Sequence, residues 1–336
     1  IHIEAVIKYL IPAAVSVAFL LMGGAFIYAY CGTMNFLAIA RGSSIFINNS
    51  PLLIAGMVMV VVGIGFKLAI VPFHLWTPDV YEGAPAPVTG FIATASKGAV
   101  FALLLRYFTV INIYECRPMF TAFVIIAIVT MFFGNLLALL QNNVKRILAY
   151  SSISHIGYLM TALLAGGKWA AVAVTLYLLT YFITTLGAFG VITILSSKER
   201  DFDMLDDYRG LVFRHPVLAS VFTGFLLSLA GIPLTAGFIG KFFIFSANAD
   251  ARLWLLLIVL VINSVIGLFY YLRIIIKLYS PVEESRVVSQ SQSVSLPSFS
   301  FAGGFVMAML LLFLLWIGIY PSPFIDIVRD MVSGLI

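Results

Sequence analysis

The chain has 336 residues, 62% hydrophobic and 10% charged, and a formal net charge of +5 from 19 Lys and Arg against 14 Asp and Glu. Soluble domains carry about a quarter charged residues, so this composition, with a mean hydropathy of +1.11, excludes a soluble fold and points to a polytopic membrane protein. Secreted, nucleic-acid-binding and disordered classes fall with it, because the basic residues are scattered and form no patch.

The first residues, IHIEAVIKYL, run directly into an apolar span, with no charged leader region and no small-residue cleavage site. The expectation is a chain that lacks its original N-terminus. A helix needs about 20 apolar residues to cross the hydrocarbon of a bilayer. Nine segments qualify: 8–30, 52–71, 88–109, 119–140, 146–165, 169–195, 216–247, 253–279 and 303–320. None shows the two-residue alternation of a membrane β-barrel, and lipid then requires helices. The fold class expected is an all-α membrane protein.

Two of the nine are abnormal. The second ends at Val71-Pro72 and is followed by PFHLWTPDVYEGAPAP, in which Pro72, Pro78, Pro85 and Pro87 each remove a backbone donor. The seventh is too long for one upright crossing and holds Gly231-Ile232-Pro233 at its middle. Both are predicted to be broken helices, and paired interruptions of this kind mark transport sites. Cys31 and Cys116 have neither metal-ligand nor framework spacing and read as free thiols.

Alternate loops divide the basic residues unequally. Lys8, Lys145, Arg146, Lys198, Arg200, Arg209, Arg214, Lys277 and Arg286 fall on the side of the chain start; Arg41, Arg117, Lys168, Arg252 and Arg329 fall on the other. The richer side is expected to be cytoplasmic, which puts the C-terminus in the periplasm. The longest polar loop, 196–215, has nearly balanced charges and reads as a solvated loop, with a docking surface as the alternative.

Three lysines lie inside spans: Lys67, about fifteen residues into the second; Lys97, roughly 13 Å along the third; and Lys241, just past the Pro233 break. A charge at the bilayer centre costs about 2.5–3.5 kcal/mol on the insertion scale. Three together cost roughly 8–10 kcal/mol, comparable to the net stability of a whole domain. Such residues persist where they act. An amine suits proton work because burial favours its neutral form and a nearby carboxylate its charged form. Arg cannot do this. His155, in YSSISHIGYLM, is placed to relay protons, with Ser151, Ser152, Ser154 and Tyr158 expected to hold water beside it. Lys8, Arg106 and Arg273, nearer span ends, read as able to snorkel to the interface. No haem, iron–sulfur, phosphate-loop or paired-His signature occurs.

GFKLAIVPFHLWTPDVYEGAPAPV, ATASKGAVFALLLRYF, NNVKRILAYSSISHIGYLM and SLAGIPLTAGFIGKF together resemble the antiporter-like membrane subunits of respiratory complex I, the NADH:quinone oxidoreductase. The resemblance runs from Ile3 to the C-terminus. It implies two inverted five-helix repeats, each with one broken helix, joined by a central line of Lys, Glu and His. By it Lys67 matches the central Lys of the first broken helix, and Lys97 the Lys that links the halves. His155 matches a linking position in the second repeat, Lys241 the exit-side Lys, and Lys8 a further buried Lys. Full-length relatives begin with about five more helices, one carrying the Glu that pairs with the Lys matched by Lys67. The first repeat is therefore expected to be incomplete here.

The implied divisions are 1–110, the remainder of the first repeat; 111–280, the second repeat; and 281–336, the C-terminal loop and last span. The implied function is proton translocation without a redox centre in this chain, with NADH, flavin, iron–sulfur clusters and quinone held by other subunits. The implied partners are neighbouring antiporter-like subunits in a bacterial inner membrane. The alternatives are a subunit of a multi-subunit Na⁺/H⁺ antiporter and a scaffold that moves no protons.

Overall fold

The computed structural model describes residues 2–41, 50–111, 114, 117–196, 202–281 and 301–335. Cys116, Lys198, Arg200 and Arg286 lie outside the described residues. With no water to satisfy its peptide groups, a spanning segment closes its hydrogen bonds within itself. The described chain is accordingly helical, with one isolated bridge between Asn143 and Met204.

The helices are α1 (His2–Cys31), α2 (Phe36–Arg41), α3 (Pro51–Leu68), α4 (Trp76–Gly83), α5 (Ala86–Phe91), α6 (Lys97–Ile111), α7 (Arg117–Leu139), α8 (Val144–Ala165), α9 (Gly167–Leu195), α10 (Leu211–Arg214), α11 (Pro216–Ala230), α12 (Ala236–Asp250), α13 (Trp254–Tyr279), α14 (Phe301–Ile319) and α15 (Ser322–Leu335). Eight stretches among the described residues are long and apolar enough to cross a membrane. The ninth expected span is the pair α11 and α12, and α11 alone is a shorter apolar helix.

At the centre stands α8. Every residue from Ile147 to Leu164 is buried, and α7, α9, α12 and α13 surround it. It is the least apolar of the eight candidate spans. A helix facing protein on all sides can carry Ser151, Ser152, Ser154 and His155, whereas a lipid-facing one cannot. The α7–α8 contact is close because Gly134 lies against Ser154 N and Tyr150 O, where a Cβ would stand 2.7 and 2.8 Å away.

Both predicted breaks are present, and each satisfies the backbone groups it frees. α3 ends in a left-handed residue, Ala69, with Ile70 N bonded back to Gly65 O at 3.0 Å. Beyond it, Trp76 Nε1 donates to the carbonyl of Phe66 and Val71 N to Thr130 Oγ1. α11 ends the same way at Gly231, φ +85°, with Ile232 N bonded to Leu227 O at 3.0 Å. Thr235 Oγ1 takes up Ile232 O, and Gly237 N finds Ser228 Oγ. Gly237 lies so close to Ser228 O that no Cβ fits there.

Three expectations need correction, and one element was not anticipated. The third span is not one regular helix: Ile92–Ser96 forms a π-helical turn between α5 and α6, immediately before Lys97. Segment 202–214 is not a solvated loop. Phe202, Leu205, Tyr208 and Leu211 are core residues, and Val144 N, Leu205 N and Gly210 N tie the segment to Asp203 O, Asn142 O and Lys277 O. Arg273 does not snorkel; it donates to Leu139 O at 3.0 Å and to Gln141 O, closing the C-terminal end of α7. Finally, the residues past the last span form the amphipathic helix α15, whose Val328 and Val332 pack against Ala171, Val172 and Leu176 of α9.

One end of the bundle is ionic. Lys8 pairs with Glu4 at 2.6 Å and Asp79 at 2.7 Å, and Arg146 bridges Asp79 at 2.8 Å and Glu82 at 2.7 Å. Asn143 caps α8 through Arg146 N and also donates to Glu82. Lys145 meets Asp203, and Lys277 meets Asp206. These are basic residues that the loop count groups on the side of the chain start. Asp79 lies outside the spans. Burial opposes its charge, but the Lys8 and Arg146 contacts outweigh burial and hold its carboxyl below the ordinary carboxylate range.

Candidate functional site

Lys97 opens α6 and is buried, with 1% of its surface exposed. The π-helical turn immediately before it is a distortion of a kind frequent at functional sites. Its Nζ donates to Ser152 Oγ at 2.7 Å and sits 5.6 Å over the Tyr81 ring. Tyr181 OH donates to the same Ser152 Oγ at 2.8 Å. With both lone pairs used, Ser152 keeps its own proton for Tyr81 OH, 3.5 Å away.

One turn further along α8, His155 stands among tyrosines. Nδ1 is 2.5 Å from Tyr177 OH and Nε2 is 3.1 Å from Tyr271 OH. The Tyr181 and Tyr158 rings lie 5.2 and 5.6 Å from the imidazole. The expected water-holding groups are otherwise engaged. Ser151 and Ser154 donate to backbone carbonyls of their own helix, Ser152 serves Lys97, and Tyr158 OH accepts from Asn135.

Lys241, partly buried on α12, answers the second break. Its Nζ donates to Ala230 O, a carbonyl at the end of α11, at 2.7 Å, and to Ser264 Oγ at 3.0 Å. It also lies 5.4 Å over the Tyr158 ring. Lys97, His155 and Lys241 are thus joined by one set of packed polar side chains from α6, α8, α9, α12 and α13.

Lys67 is not part of that set. It is partly buried near the end of α3, on a cavity shared with Tyr9, Ser16, Trp76 and Ser96. Ser96 is the residue before Lys97, so the two sites meet at the π-helical turn. Lys8 lies apart from both. Its side chain is 44% exposed and ion-paired, whereas a buried position was expected. It sits in the second turn of α1, where Glu4, one turn earlier, and Asp79 can both reach it. Among the described residues no carboxylate lies within ion-pair distance of Lys67, Lys97 or Lys241. Likewise, no cluster of three His, Cys, Asp or Glu could hold a metal.

Sequence reasoning passed over Tyr81, Tyr177, Tyr181, Tyr270, Tyr271, Asn135 and Asn263. A signal was there. Tyr177 and Tyr181 are four residues apart on α9, and Asn263 and Tyr270 seven apart on α13, so each pair shares a helix face.

The sequence profile of the NADH:quinone oxidoreductase/Mrp antiporter transmembrane family matches residues 1–267. NADH-quinone oxidoreductase subunit N of Ectopseudomonas mendocina (strain ymp) is 48% identical over 330 residues, covering 98% of this chain and 66% of that protein. Among solved structures, a chain of respiratory complex I from Thermus thermophilus superposes with a TM-score of 0.80 at 33% identity, over 96% of this chain and 68% of that one. A chain of the Mrp complex from Dietzia sp. DQ12-45-1b gives 0.85 at 21% identity, over 99% and 68%, a likeness of fold alone. The chain therefore spans about two thirds of the length of these relatives. On the profile match and the identity to subunit N together, the chain belongs to the NADH:quinone oxidoreductase/Mrp antiporter transmembrane family.

Proposed function

We propose that this chain is a proton-translocating, non-redox membrane subunit of an NADH:quinone oxidoreductase, moving protons along the line Lys97–His155–Lys241, with Lys67 feeding it. The observation that carries this reading is the pair of lysines, Lys97 and Lys241, held on either side of a buried histidine with no carboxylate of the described residues in ion-pair reach. An amine in that position holds or gives up a proton according to how the groups around it move. Its hydrogen-bond partners, Ser152, Ser264 and a carbonyl, stabilise the ammonium without fixing it as a carboxylate would. The 48% identity to a protein named NADH-quinone oxidoreductase subunit N favours this assembly over a Na⁺/H⁺ antiporter.

In this reading Lys8 belongs to the ion pairs that hold α1, α4 and α8 together at one end. The energy comes from quinone reduction elsewhere in the complex. This chain binds no cofactor itself; NADH, flavin, iron–sulfur clusters and quinone sit in other subunits. Residues 1–110 and 111–280 act as two repeats, and 281–336 as the tail that closes the bundle. The ionic end faces the cytoplasm of a bacterial inner membrane, with α15 on the periplasmic side, and neighbouring antiporter-like subunits flank the chain.

The test is proton uptake by membrane vesicles containing the assembled complex. Uptake driven by NADH and lost in Lys97→Ala supports the reading. Uptake driven by a Na⁺ gradient without NADH assigns the antiporter instead, and unchanged uptake in both Lys97→Ala and Lys241→Ala leaves a scaffold.

A further inference from the structure

Two buried amides, Asn135 on α7 and Asn263 on α13, have 0% exposure and no part in the line just described. Their hydrogen bonds have a polarity that is set from one end. Val259 O is a backbone carbonyl and can only accept; it takes Asn263 Nδ2 at 2.9 Å. Asn263 Oδ1 therefore points the other way and must accept in turn. Asn135 Nδ2 supplies it at 3.0 Å and reaches Asn263 O at 3.1 Å. The same Nδ2 donates to Tyr158 OH at 3.1 Å, which leaves Asn135 Oδ1 to accept from Tyr270 OH at 3.0 Å.

One carbonyl thus orients two tyrosine hydroxyls in opposite senses. Tyr158 accepts from the amide, so its own proton stays available. The proton of Tyr270 is committed to an amide oxygen, and an amide, unlike a hydroxyl or an imidazole, does not take up a proton at one atom while releasing one from the other at ordinary cost. Tyr270 packs 4.5 Å from Tyr271, which touches His155. The Tyr158 ring meets the His155 ring edge-on at 5.6 Å and carries the Lys241 ammonium 5.4 Å from its centre.

We propose that Asn135, oriented by Asn263, is a positioning residue for proton transfer between His155 and Lys241: it keeps Tyr158 ready to donate and closes the branch through Tyr270. This rests on the reading of the chain as a proton carrier. It also differs from a purely structural role, in which the two amides only satisfy each other in a dry core and any arrangement that satisfies them would serve.

Asn135→Asp preserves volume and separates the two. As a neutral acid the new side chain has one O–H, which can still go to Tyr158 when Asn263 Oδ1 gives up its donor. Once ionised it can only accept, and Tyr158 must turn its proton toward it. In the assembled complex, NADH-driven proton uptake by this variant is expected to fall about a hundredfold as pH rises through the titration of the acid, the low end of what a positioned proton donor contributes. Asn263→Leu frees Asn135 to flip and is expected to lower uptake several-fold without adding a charge. A parent-like pH profile in Asn135→Asp, or parent-like uptake in Asn263→Leu, overturns the proposal; should Asn263→Leu not assemble, the pH profile decides. Lys97→Ala run beside them tells the two failures apart. If it and Lys241→Ala both leave uptake intact, proton carriage by this chain is wrong; if they abolish uptake while the asparagine variants do not, only the role of Asn135 is.

Discussion

Gly231→Ala tests the coupling of the second broken helix to its lysine without touching the lysine. Gly231 has φ +85°, and a residue with a Cβ held in that region costs about 1–2 kcal/mol. The added methyl would stand 2.7 Å from Lys241 Cδ and 3.1 Å from Nζ. To restore ordinary contact at 3.4 Å the side chain must retreat by about 0.7 Å at Cδ. Its Nζ is pinned by Ala230 O at 2.7 Å and Ser264 Oγ at 3.0 Å, and Ala230 is the residue immediately before the substitution. Losing one such charge-assisted bond costs about 1.5–3 kcal/mol. The expected total is about 3–5 kcal/mol against the native arrangement, with the carbonyl at the break left unsatisfied in an apolar surrounding. Thermal unfolding of the purified complex and proton uptake in vesicles should both report it: an earlier transition confined to this subunit, and uptake reduced about tenfold or more. Parent-like melting together with parent-like uptake would refute the argument, because it would mean that Lys241 does not depend on the Gly231 geometry for its position.

Three other outcomes are expected. Lys97→Ala should abolish most NADH-driven proton uptake while the complex still assembles, since removing a charge that has no counter-ion among the described residues need not harm packing; co-purification of the other subunits checks the second half. Lys241→Arg should lower uptake strongly although the charge is kept, because Arg does not deprotonate, and Lys241→Glu should retain more; uptake per NADH oxidised ranks the two. The ion pairs around Asp79 should give the ionic end a pH dependence. Its carboxyl is depressed in the folded chain, so its contribution is present above the unfolded carboxylate value and is lost as pH falls through the folded one; melting curves on acidification should show the loss, and Asp79→Asn should flatten it.

How much of this was legible beforehand differed by layer. The spans were readable because lipid admits only apolar helices, and both breaks were readable because Pro72 and Pro233 each lack a donor that a continuous helix needs, with Gly231 beside Pro233 free to turn. Lys97 and Lys241 stood out because a charge inside an apolar run is conspicuous. The hydrogen-bonding partners were not readable. Tyr177, Tyr181 and Tyr271 pass for ordinary bulk in an apolar helix, and only packing shows that the hydroxyls of Tyr177 and Tyr271 meet His155 and that of Tyr181 meets Ser152. The direct partners of the serines were hidden for a local reason, since Ser and Thr in a helix bond to their own carbonyls one turn back, as Ser151 and Ser154 do. The 202–214 segment misled because its charges are plain in the sequence, whereas the burial of Phe202, Leu205 and Tyr208 depends on partners far along the chain.

The burial of α8 on every side bears on how the chain enters its membrane. Lipid is the first environment a new span meets, and in it α8 would expose Ser151, Ser152, Ser154 and His155 to hydrocarbon with only its own carbonyls as partners. The short link from Leu139 to Val144 lets α7 and α8 enter as a hairpin, with Gly134 and Ser154 already in contact. The face that holds Ser152 and His155 is covered only after α9 brings Tyr177 and Tyr181, and the last partner of His155, Tyr271, arrives with α13. The polar middle of the bundle is thus completed only when α13 arrives, well after its own helix is made. Until α13 has docked, the groups proposed to carry protons stand in an unfinished core, so integration and the building of the polar line are one process.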